Sequence, residues 1–235
     1  AHIEFLGLDR NTPMASSLLN GVFTSSEKTT ASILMTAFAT ISSILTSSKL
    51  KKITRTTSFD IRKIPKEKTI IYLKYPEYSE QYDCLVSLFL TELIHVLYHS
   101  CDQTGQLDIP FHFIIDEFAH FRLPSFERYI STARSRNIQF TLLIQSMDQL
   151  EIGYSKSVAQ TIMDCCQNII SFQTTNYNTL TYMSQLSGYR DTVGNLPRVS
   201  MNDLLKLRPF EAFCLINHQP SIQLFKPYFM RGDYL

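Results

Sequence analysis

Glycine is scarce in this chain, which matters because the loops that hold phosphates are usually glycine-rich. The chain has 7 glycines among its 235 residues, about 3% where ~7% is usual. The 5 cysteines include no Cys-x-x-Cys pair, which argues against a disulfide framework and predicts buried thiols in a reducing compartment. No apolar run approaches the ~18 residues that span a bilayer. A signal-peptide pattern and an initiator Met are also lacking at the start, from which we expect a cut polypeptide.

Strong net charge is lacking too. The formal net charge is +1, so no overall field would attract nucleic acid or an acidic membrane, and any such contact needs a local patch. Hydrophobic residues make up 44% of the chain and aromatic residues 12%, enough for a substantial core. The length predicts one large domain, or one domain with an appendage.

The most informative segment is FHFIIDEFAHF, at 111–121. An apolar run predicted to be a buried strand leads directly into Asp116 and Glu117. Ionised carboxylates are costly at the edge of a core unless they hold a cation or take part in chemistry. In P-loop NTPases such a pair holds Mg²⁺ and aims a water at a γ-phosphate, with Asp116 on the metal side and Glu117 polarising the water. The alternative is that Asp116 caps the following helix and Glu117 lies on its surface.

The hydrophobic pattern divides the chain into two parts. A helix is predicted over 25–50, capped by Ser25 or Ser26, and the basic stretch Lys49 to Lys68 follows as a solvated linker or a surface facing phosphates. Apolar strands then alternate with helices, which predicts an α/β fold with a parallel sheet covered by helices on both faces. The predicted strands are 69–75, 111–116, 138–145, 168–173, 212–217 and 222–225, and the helices are 82–98, 124–136, 158–166 and 179–186.

Further polar residues are predicted at or near the ends of these strands. Gln145 ends a strand as Asp116 does, so both should lie at the carboxyl edge of the sheet, where ligands bind. Its amide could hydrogen-bond the attacking water or a γ-phosphate oxygen, or could simply cap a strand end. Arg134 and Arg136 could stabilise the charge of a transition state in a neighbouring subunit, or could complement a helix dipole.

The phosphate loop itself is missing. The closest approach to GxxxxGK[ST] is VFTSSEKT, at 22–29, in which Val22 and Glu27 replace both glycines. Glutamate resists positive φ and adds a negative charge beside a polyphosphate, so we interpret this segment as a helix start. His95 and His99 are spaced to share a metal, but Val96 stands where the glutamate of a zinc protease belongs. Adjacent cysteines, Cys165 and Cys166, point in different directions on a helix and predict no shared metal.

Together these segments resemble the type IV secretion coupling proteins of the TraG/TraD class, the hexameric motors of bacterial conjugation. IIDEFAHFRLPSFERYISTARSRNIQFTLLIQSMDQL, at 114–150, resembles the Walker B segment with its Arg-Ser-Arg and Gln-Ser-x-x-Gln-Leu blocks. TTSFDIRKI and KTIIYLKYP resemble the segment upstream of Walker B, and RPFEAFCLINHQPSIQLFKPYF resembles the closing strands. The similarity covers about 25–229.

The resemblance implies a RecA-like fold with a mostly parallel sheet, in which residues 1–50 are the tail of an all-α domain and 51–235 the carboxyl-terminal part of the nucleotide-binding domain. It assigns Asp116 to Mg²⁺, Glu117 to water activation, Gln145 to sensing of the nucleotide, and Arg136, or else Arg134, to the arginine finger. ATP and Mg²⁺ are the implied cofactors. The implied partners are relaxase or relaxosome proteins, single-stranded DNA, secretion-channel components and further copies forming a homo-hexamer.

The resemblance places the full-length protein at the cytoplasmic face of the cell membrane, and we expect this piece to be soluble and inactive by itself because Walker A is absent. Its function would then be ATP-driven delivery of single-stranded DNA and relaxase to a secretion channel. Two alternatives remain at this stage: a non-catalytic module that docks substrates on a RecA-like scaffold, and a double-stranded DNA pump of the FtsK/HerA kind. The Arg-Ser-Arg to Gln-Ser-x-x-Gln-Leu block favours the coupling proteins over such a pump.

Overall fold

The structure is a computed structural model that describes residues 26–45, 52, 55–56, 59–76, 80–190, 196–216 and 219–224. The chain divides into two compact units between Asp60 and Ile61. Its helices are α1 (Glu27–Leu45), α2 (Glu80–Ser100), α3 (Phe126–Ala133), α4 (Met147–Gly153), α5 (Lys156–Asp164), α6 (Tyr177–Leu186) and α7 (Met201–Leu205). Its strands are β1 (Phe111–Ile115), β2 (Ile138–Leu142), β3 (Ile169–Ser171), β4 (Glu211–Ile216) and β5 (Gln219–Leu224).

The first unit contributes α1, the helix predicted from its apolar stripe. Ser26 precedes the helix, and its Oγ accepts a 3.3 Å hydrogen bond from the backbone N–H of Thr29. A serine in this position satisfies one of the donors left free in the first helical turn. The predicted alternative cap Ser25 and the predicted end at Leu50 lie outside the described residues.

The second unit is built around β1 and β2, which pair in parallel with Ile115 opposite Leu142. Aromatic rings from both strands and from α3 pack against one another in the core. The Phe113 and Phe140 rings stack with centroids 4.9 Å apart, and Phe126 meets Phe140 edge-on at 5.1 Å. Buried residues of α2, four of which are Leu90, Leu93, Ile94 and Leu97, belong to the same core. Their spacing places them on one helical face, as the predicted amphipathic pattern requires.

The last three strands form a separate antiparallel sheet in the order β3-β4-β5. Only two residues separate β4 from β5, and a connection of that length permits a hairpin but no parallel crossover. β4 is central in this sheet, and its residues 212–215 are buried. Leu180 and Met183 of α6 join Phe213 and Leu215 in a second core. The parallel arrangement predicted for the sheet is therefore observed for β1 and β2, whereas β3, β4 and β5 pair antiparallel.

The predicted strand over 69–75 is wrong. In the structure residues 68–76 belong to neither a helix nor a strand. Ile71 and Tyr75 pack against the core, whereas Ile70 is 80% and Tyr72 is 91% exposed. The segment has the β-branched and aromatic composition of a strand, but pairing needs a neighbouring strand, and no described residue provides one.

Other predicted boundaries are close to the observed ones. The predicted strand 138–145 stops at Leu142, and the predicted helix 124–136 is α3 followed by a 3₁₀ turn, Arg134–Arg136. The basic stretch Lys49 to Lys68 contains a 3₁₀ helix, Ile61–Lys66, in which Ile64 and Pro65 are buried. This part of the stretch is therefore not a solvated linker, which was one of the two predictions for it. The predicted strand ends at Asn217 and Phe225 lie outside the described residues. Among the helices that the structure describes, none is both long and apolar enough to cross a membrane.

Candidate nucleotide-hydrolysis site

The site lies where β1 and β2 end. The backbone N–H of Leu143 donates to the carbonyl of Ile115 at 2.9 Å, and the N–H of Phe118 donates to the carbonyl of Leu143 at 3.0 Å. These bonds continue the parallel pairing past the last strand residues and hold the two chain segments together. Asp116 and Glu117 on one segment therefore face the segment that carries Gln145.

Glu117 occupies an unusual backbone conformation. Its φ of 52° and ψ of 37° are left-handed, and a 3₁₀ turn, Phe118–His120, follows it. Its N–H donates to Asp116 Oδ1 at 2.9 Å. Residues other than glycine rarely adopt positive φ, and when they do they cluster at functional sites where the surrounding structure enforces the conformation. Here the enforcing element is Phe118, which is completely buried among core aromatics.

Three side chains form a hydrogen-bonded row across this edge. Gln145 Nε2 donates to Glu117 Oε1 at 2.7 Å, and Gln149 Nε2 donates to Gln145 Oε1 at 3.0 Å. Glu117 and Gln145, which the sequence places at neighbouring strand ends, are thus brought together. Gln149 is an additional member, and it is positioned by the first turn of α4, whose cap is Ser146.

The second carboxylate oxygen of Glu117 is differently placed. Oε2 is buried and accepts no hydrogen bond from any described residue. His120 Nε2 lies 3.5 Å from this oxygen, too far for a good hydrogen bond. A buried acceptor without a donor is costly, so this oxygen is suited to a water molecule or a cation. Asp116 beside it is exposed and accessible to a metal ion.

Protein groups alone supply few ligands for a metal. Among the described residues, no group of three or more His, Cys, Asp or Glu side chains could hold a metal ion. Mg²⁺ typically binds one or two carboxylates and takes its other ligands from water and substrate phosphates. Asp116, exposed beside Glu117, fits that pattern as the single carboxylate ligand, with water and phosphate oxygens as the remaining ligands.

Helix α4 is fixed at both ends. At its start, Asp148 accepts hydrogen bonds of 2.6 Å from Asn176 and of 2.6 Å from Asn178. These bonds stabilise the ionised form and hold the pKa of Asp148 below its ordinary value, and the bond from Asn178 makes the larger contribution. At its end, Gly153 lies against the turn that follows Glu117. The amide row therefore rests on a helix whose position is set by packing.

Arg134 and Arg136 do not join this group. They precede β2, and the backbone N–H of Phe111 at the start of β1 donates to the carbonyl of Asn137, so both arginines lie at the amino edge of the sheet. The guanidinium of Arg136 sits over the Tyr98 ring, 4.9 Å from its centroid. Because the paired strands are five residues long, the two edges are ~16 Å apart. Neither arginine reaches Glu117 within one chain.

The histidines and paired cysteines lie away from the row as well. His99 Nδ1 contacts Asp102 at 2.6 Å on the surface, and the His95 ring meets Tyr129 edge-on at 5.7 Å. Cys165 and Cys166 follow α5, and burial raises the pKa of the Cys166 thiol to about 11. These histidines and cysteines therefore make packing and surface contacts and lie outside the candidate site.

Sequence reasoning missed three polar contributors to this edge: His120, Asp148 and Gln149. Ser146 begins a helix with Gln149 at its third position, a spacing typical of a capping box, and that signal could have revealed α4. The partners of Asp148, which are the N-cap residue of α6 (Asn176) and a residue of its first turn (Asn178), had no comparable local signal.

Comparisons with known proteins agree with this architecture. Residues 110–201 match the family described as the TraM recognition site of TraD and TraG. The resemblance to the TraG/TraD class predicted from the sequence is thereby confirmed. No curated protein sequence matches the chain significantly.

Solved structures extend the comparison to most of the chain. Plasmid coupling protein TrwB in complex with a non-hydrolysable GTP analogue superposes with a TM-score of 0.72 at 17% identity, covering 87% of this chain and 51% of TrwB. TrwB in complex with ADP and Mg²⁺ gives a TM-score of 0.71 at 17% identity with the same coverage. These likenesses confirm the RecA-like α/β fold. The chain spans about half the length of the solved chains it matches.

Proposed function

We propose that this chain is the Walker B portion of a conjugative coupling ATPase. The whole protein would use ATP hydrolysis to deliver single-stranded DNA and a relaxase to a type IV secretion channel. It would act as a homo-hexamer at the cytoplasmic face of the bacterial membrane. The piece itself would be inactive, because it contains no GxxxxGK[ST] loop. The family match favours this function over a double-stranded DNA pump of the FtsK/HerA kind.

One observation carries the proposal: Glu117 has one oxygen held by Gln145 and the other buried without a donor. A general base must be oriented and must keep a free lone pair for the proton it accepts. Gln145 supplies the orientation through Oε1, and Oε2 supplies the lone pair. A purely structural surface glutamate would satisfy both oxygens or expose both to solvent.

The remaining roles follow from position. Asp116 would hold Mg²⁺, which when bound neutralises charge on the β- and γ-phosphate oxygens. The second N–H of the Gln145 carboxamide is directed away from its hydrogen bond to Glu117 and would contact the attacking water or a γ-phosphate oxygen. Because Arg134 and Arg136 lie at the opposite edge, either would act on the site of a neighbouring subunit.

The phosphate-binding loop would come from a part of the protein upstream of this chain. Among the described residues β1 pairs only with β2, and Ile114 in β1 is 71% exposed. A further parallel strand would pair with the open edge of β1 and extend the sheet, and an element packed on the sheet face that carries Ile114 would cover that side chain. We assign α1 to the tail of the all-α domain that, in this hypothesis, precedes the Walker B portion.

ATP hydrolysis tests this proposal. The chain alone should not turn over ATP, whereas a longer protein that restores the upstream region should, and Glu117→Gln should abolish its turnover while retaining nucleotide binding. Arg122→Gln, which removes an exposed charge five residues from Glu117, serves as the matched control and should remain active. Turnover by the chain alone would mean that the phosphates are held in another way.

Partner recognition is a second candidate function, favoured by the match to a TraM recognition site over residues 110–201. In this hypothesis the RecA-like scaffold docks a relaxosome protein without catalysis. Glu117→Gln would then leave DNA transfer intact in the full-length protein. Loss of transfer by several orders of magnitude, with the protein still folded, excludes a purely docking role.

A further inference from the structure

Gln149 has no role in the proposed function, yet it contacts Gln145, which in turn contacts the general base Glu117. Its Nε2 donates to Gln145 Oε1 at 3.0 Å, and the backbone N–H of Gln149 is itself held by Ser146 Oγ at 3.3 Å. Gln149 is half-buried on the first turn of α4. Its amide is therefore anchored at the backbone and engaged at the side chain.

A carboxamide can present either its oxygen or its NH₂ group to a neighbour, and the two orientations occupy nearly the same volume. Beside an ionised Glu117 only the NH₂ orientation is favourable, because the oxygen would face a negatively charged acceptor. Gln149 donates to the oxygen of Gln145 and so selects the orientation in which Nε2 faces Glu117.

We propose that Gln149 is a positioning residue that fixes the carboxamide of Gln145, and through it the carboxylate of Glu117, for hydrolysis. The inference rests on the proposed function. Gln149 touches neither Glu117 nor the reacting atoms in this arrangement and acts through Gln145 alone.

The location of α4 explains how Gln149 can perform this role. The helix is tied at its start to Asn176 and Asn178 through Asp148, and at its end it packs on the carbonyl of Ala119. Gln149 is therefore part of α4, and the turn that follows Glu117 packs against the same helix. A displacement of α4 would change the orientation of Gln145 and the position of Glu117 together.

Two substitutions separate positioning from packing. Gln149→Glu is nearly isosteric but replaces the donor by an acceptor, so Gln145 is driven to turn its NH₂ group toward α4 and its oxygen toward Glu117. Gln149→Leu removes the donor without imposing the opposite orientation. A merely structural role predicts that the isosteric change is tolerated better than the change to leucine, whereas positioning predicts the reverse order.

The first measurement is steady-state ATP hydrolysis by the longer protein that contains the upstream region. We expect kcat to fall by about 10- to 100-fold in Gln149→Glu, the range found for outer-shell residues that orient the ligands of a metal site, and by less in Gln149→Leu, with KM little changed in both. The ranking should persist at high ionic strength, because it comes from contact geometry and not from long-range charge. Gln185→Glu, exposed on α6, adds the same charge elsewhere and should leave kcat unchanged.

The second measurement reads the geometry in the chain itself, without nucleotide. The side-chain amide resonances of Gln145, assigned by their loss in Gln145→Leu, should shift and exchange faster with solvent in both Gln149 variants. Unaltered resonances, or an unaltered kcat in Gln149→Glu while Glu117→Gln still abolishes turnover, would overturn the inference. If Glu117→Gln leaves turnover intact the proposed function fails instead, and the resonances of Gln145 still decide whether Gln149 orients it.

Discussion

Gly153 packs directly against the backbone of Ala119. A β-carbon at Gly153 would lie 2.7 Å from the carbonyl oxygen of Ala119, closer than real contacts allow. Ala119 follows Glu117 by two residues, and Gly153 ends the helix that carries Gln149. The close approach therefore sets the distance between the two halves of the site, and only glycine permits it.

Gly153→Ala should lower the free energy of unfolding by about 1–3 kcal/mol, the usual cost of overpacking. The sign of this change is informative because helix propensity alone predicts the opposite: alanine stabilises a helix by ~1 kcal/mol relative to glycine. Chemical denaturation measures the change, and Ile152→Ala, at a side chain 76% exposed, is the neighbouring control and should stay within about 0.5 kcal/mol. A stabilised Gly153→Ala protein would mean that the turn moves away freely.

Local sequence signals located most of the elements that build the site. The apolar runs before Asp116 and Gln145 predicted two strands, and parallel pairing of β1 and β2 explains why their polar ends meet. The same signals failed over 69–75, because strand propensity describes a residue's fit to a sheet and not the presence of a partner.

The rest of the site depends on contacts between distant segments. Gln149 belongs to a helix that went unpredicted, although Ser146 supplies a start signal. The bonds from Asn176 and Asn178 to Asp148 span 28 and 30 residues, and no short-range pattern encodes such a pairing. The left-handed backbone of Glu117 is likewise imposed by the packing around it and not by its own preference.

The thiols should differ sharply in reactivity. Cys84 is exposed, whereas Cys101 and Cys214 are buried, and burial raises the pKa of the Cys166 thiol to about 11. Because the thiolate is the reactive form, a thiol reagent at mildly alkaline pH should label Cys84 rapidly and the partly buried Cys166 much more slowly in the folded chain. Mass spectrometry of the labelled peptides measures this, and Cys84→Ser should remove the rapid phase. Fast labelling of Cys166 in the folded chain would contradict the buried environment.

Asp148 should make stability depend on acid. Hydrogen bonds from Asn178 and Asn176 hold its pKa below the ordinary value of 3.8. A depressed pKa contributes stability that is fully present above the unfolded value and is lost as pH falls through the folded value. The melting temperature should therefore decline more steeply below about pH 4 in the native chain than in Asp148→Asn.

Asn178→Ala provides a second test of the same network. It removes the first of the two donors while leaving Asp148 ionisable, so the acid-dependent decline should be smaller than in the native chain. Thermal unfolding followed by circular dichroism from pH 5 to about pH 2 compares the three proteins across this window. Parallel curves for all three would show that the Asp148 contacts contribute nothing to the acid response.

The backbone of Glu117 offers the sharpest stability test. Its φ is 52°, a conformation in which a β-carbon costs ~1–2 kcal/mol and glycine is unstrained. Glu117→Ala and Glu117→Gly both lose the carboxylate and the bond from Gln145, so their difference isolates the backbone. We expect Glu117→Gly to be the more stable by about 1 kcal/mol in chemical denaturation. Equal stabilities would show that the turn relaxes to an ordinary conformation once the carboxylate is gone.

The same pair of substitutions at Glu92 is the matched control. Glu92 is exposed in the interior of α2, where the backbone is helical. There alanine should be more stable than glycine by ~1 kcal/mol, so the sign of the difference should reverse between the two glutamates. A reversal would show that the fold holds Glu117 in a conformation that glycine would adopt more readily. Glutamate at position 117 therefore lowers the stability of the fold relative to glycine. Such a loss is tolerated where function requires it, and here it places a carboxylate at the end of the sheet.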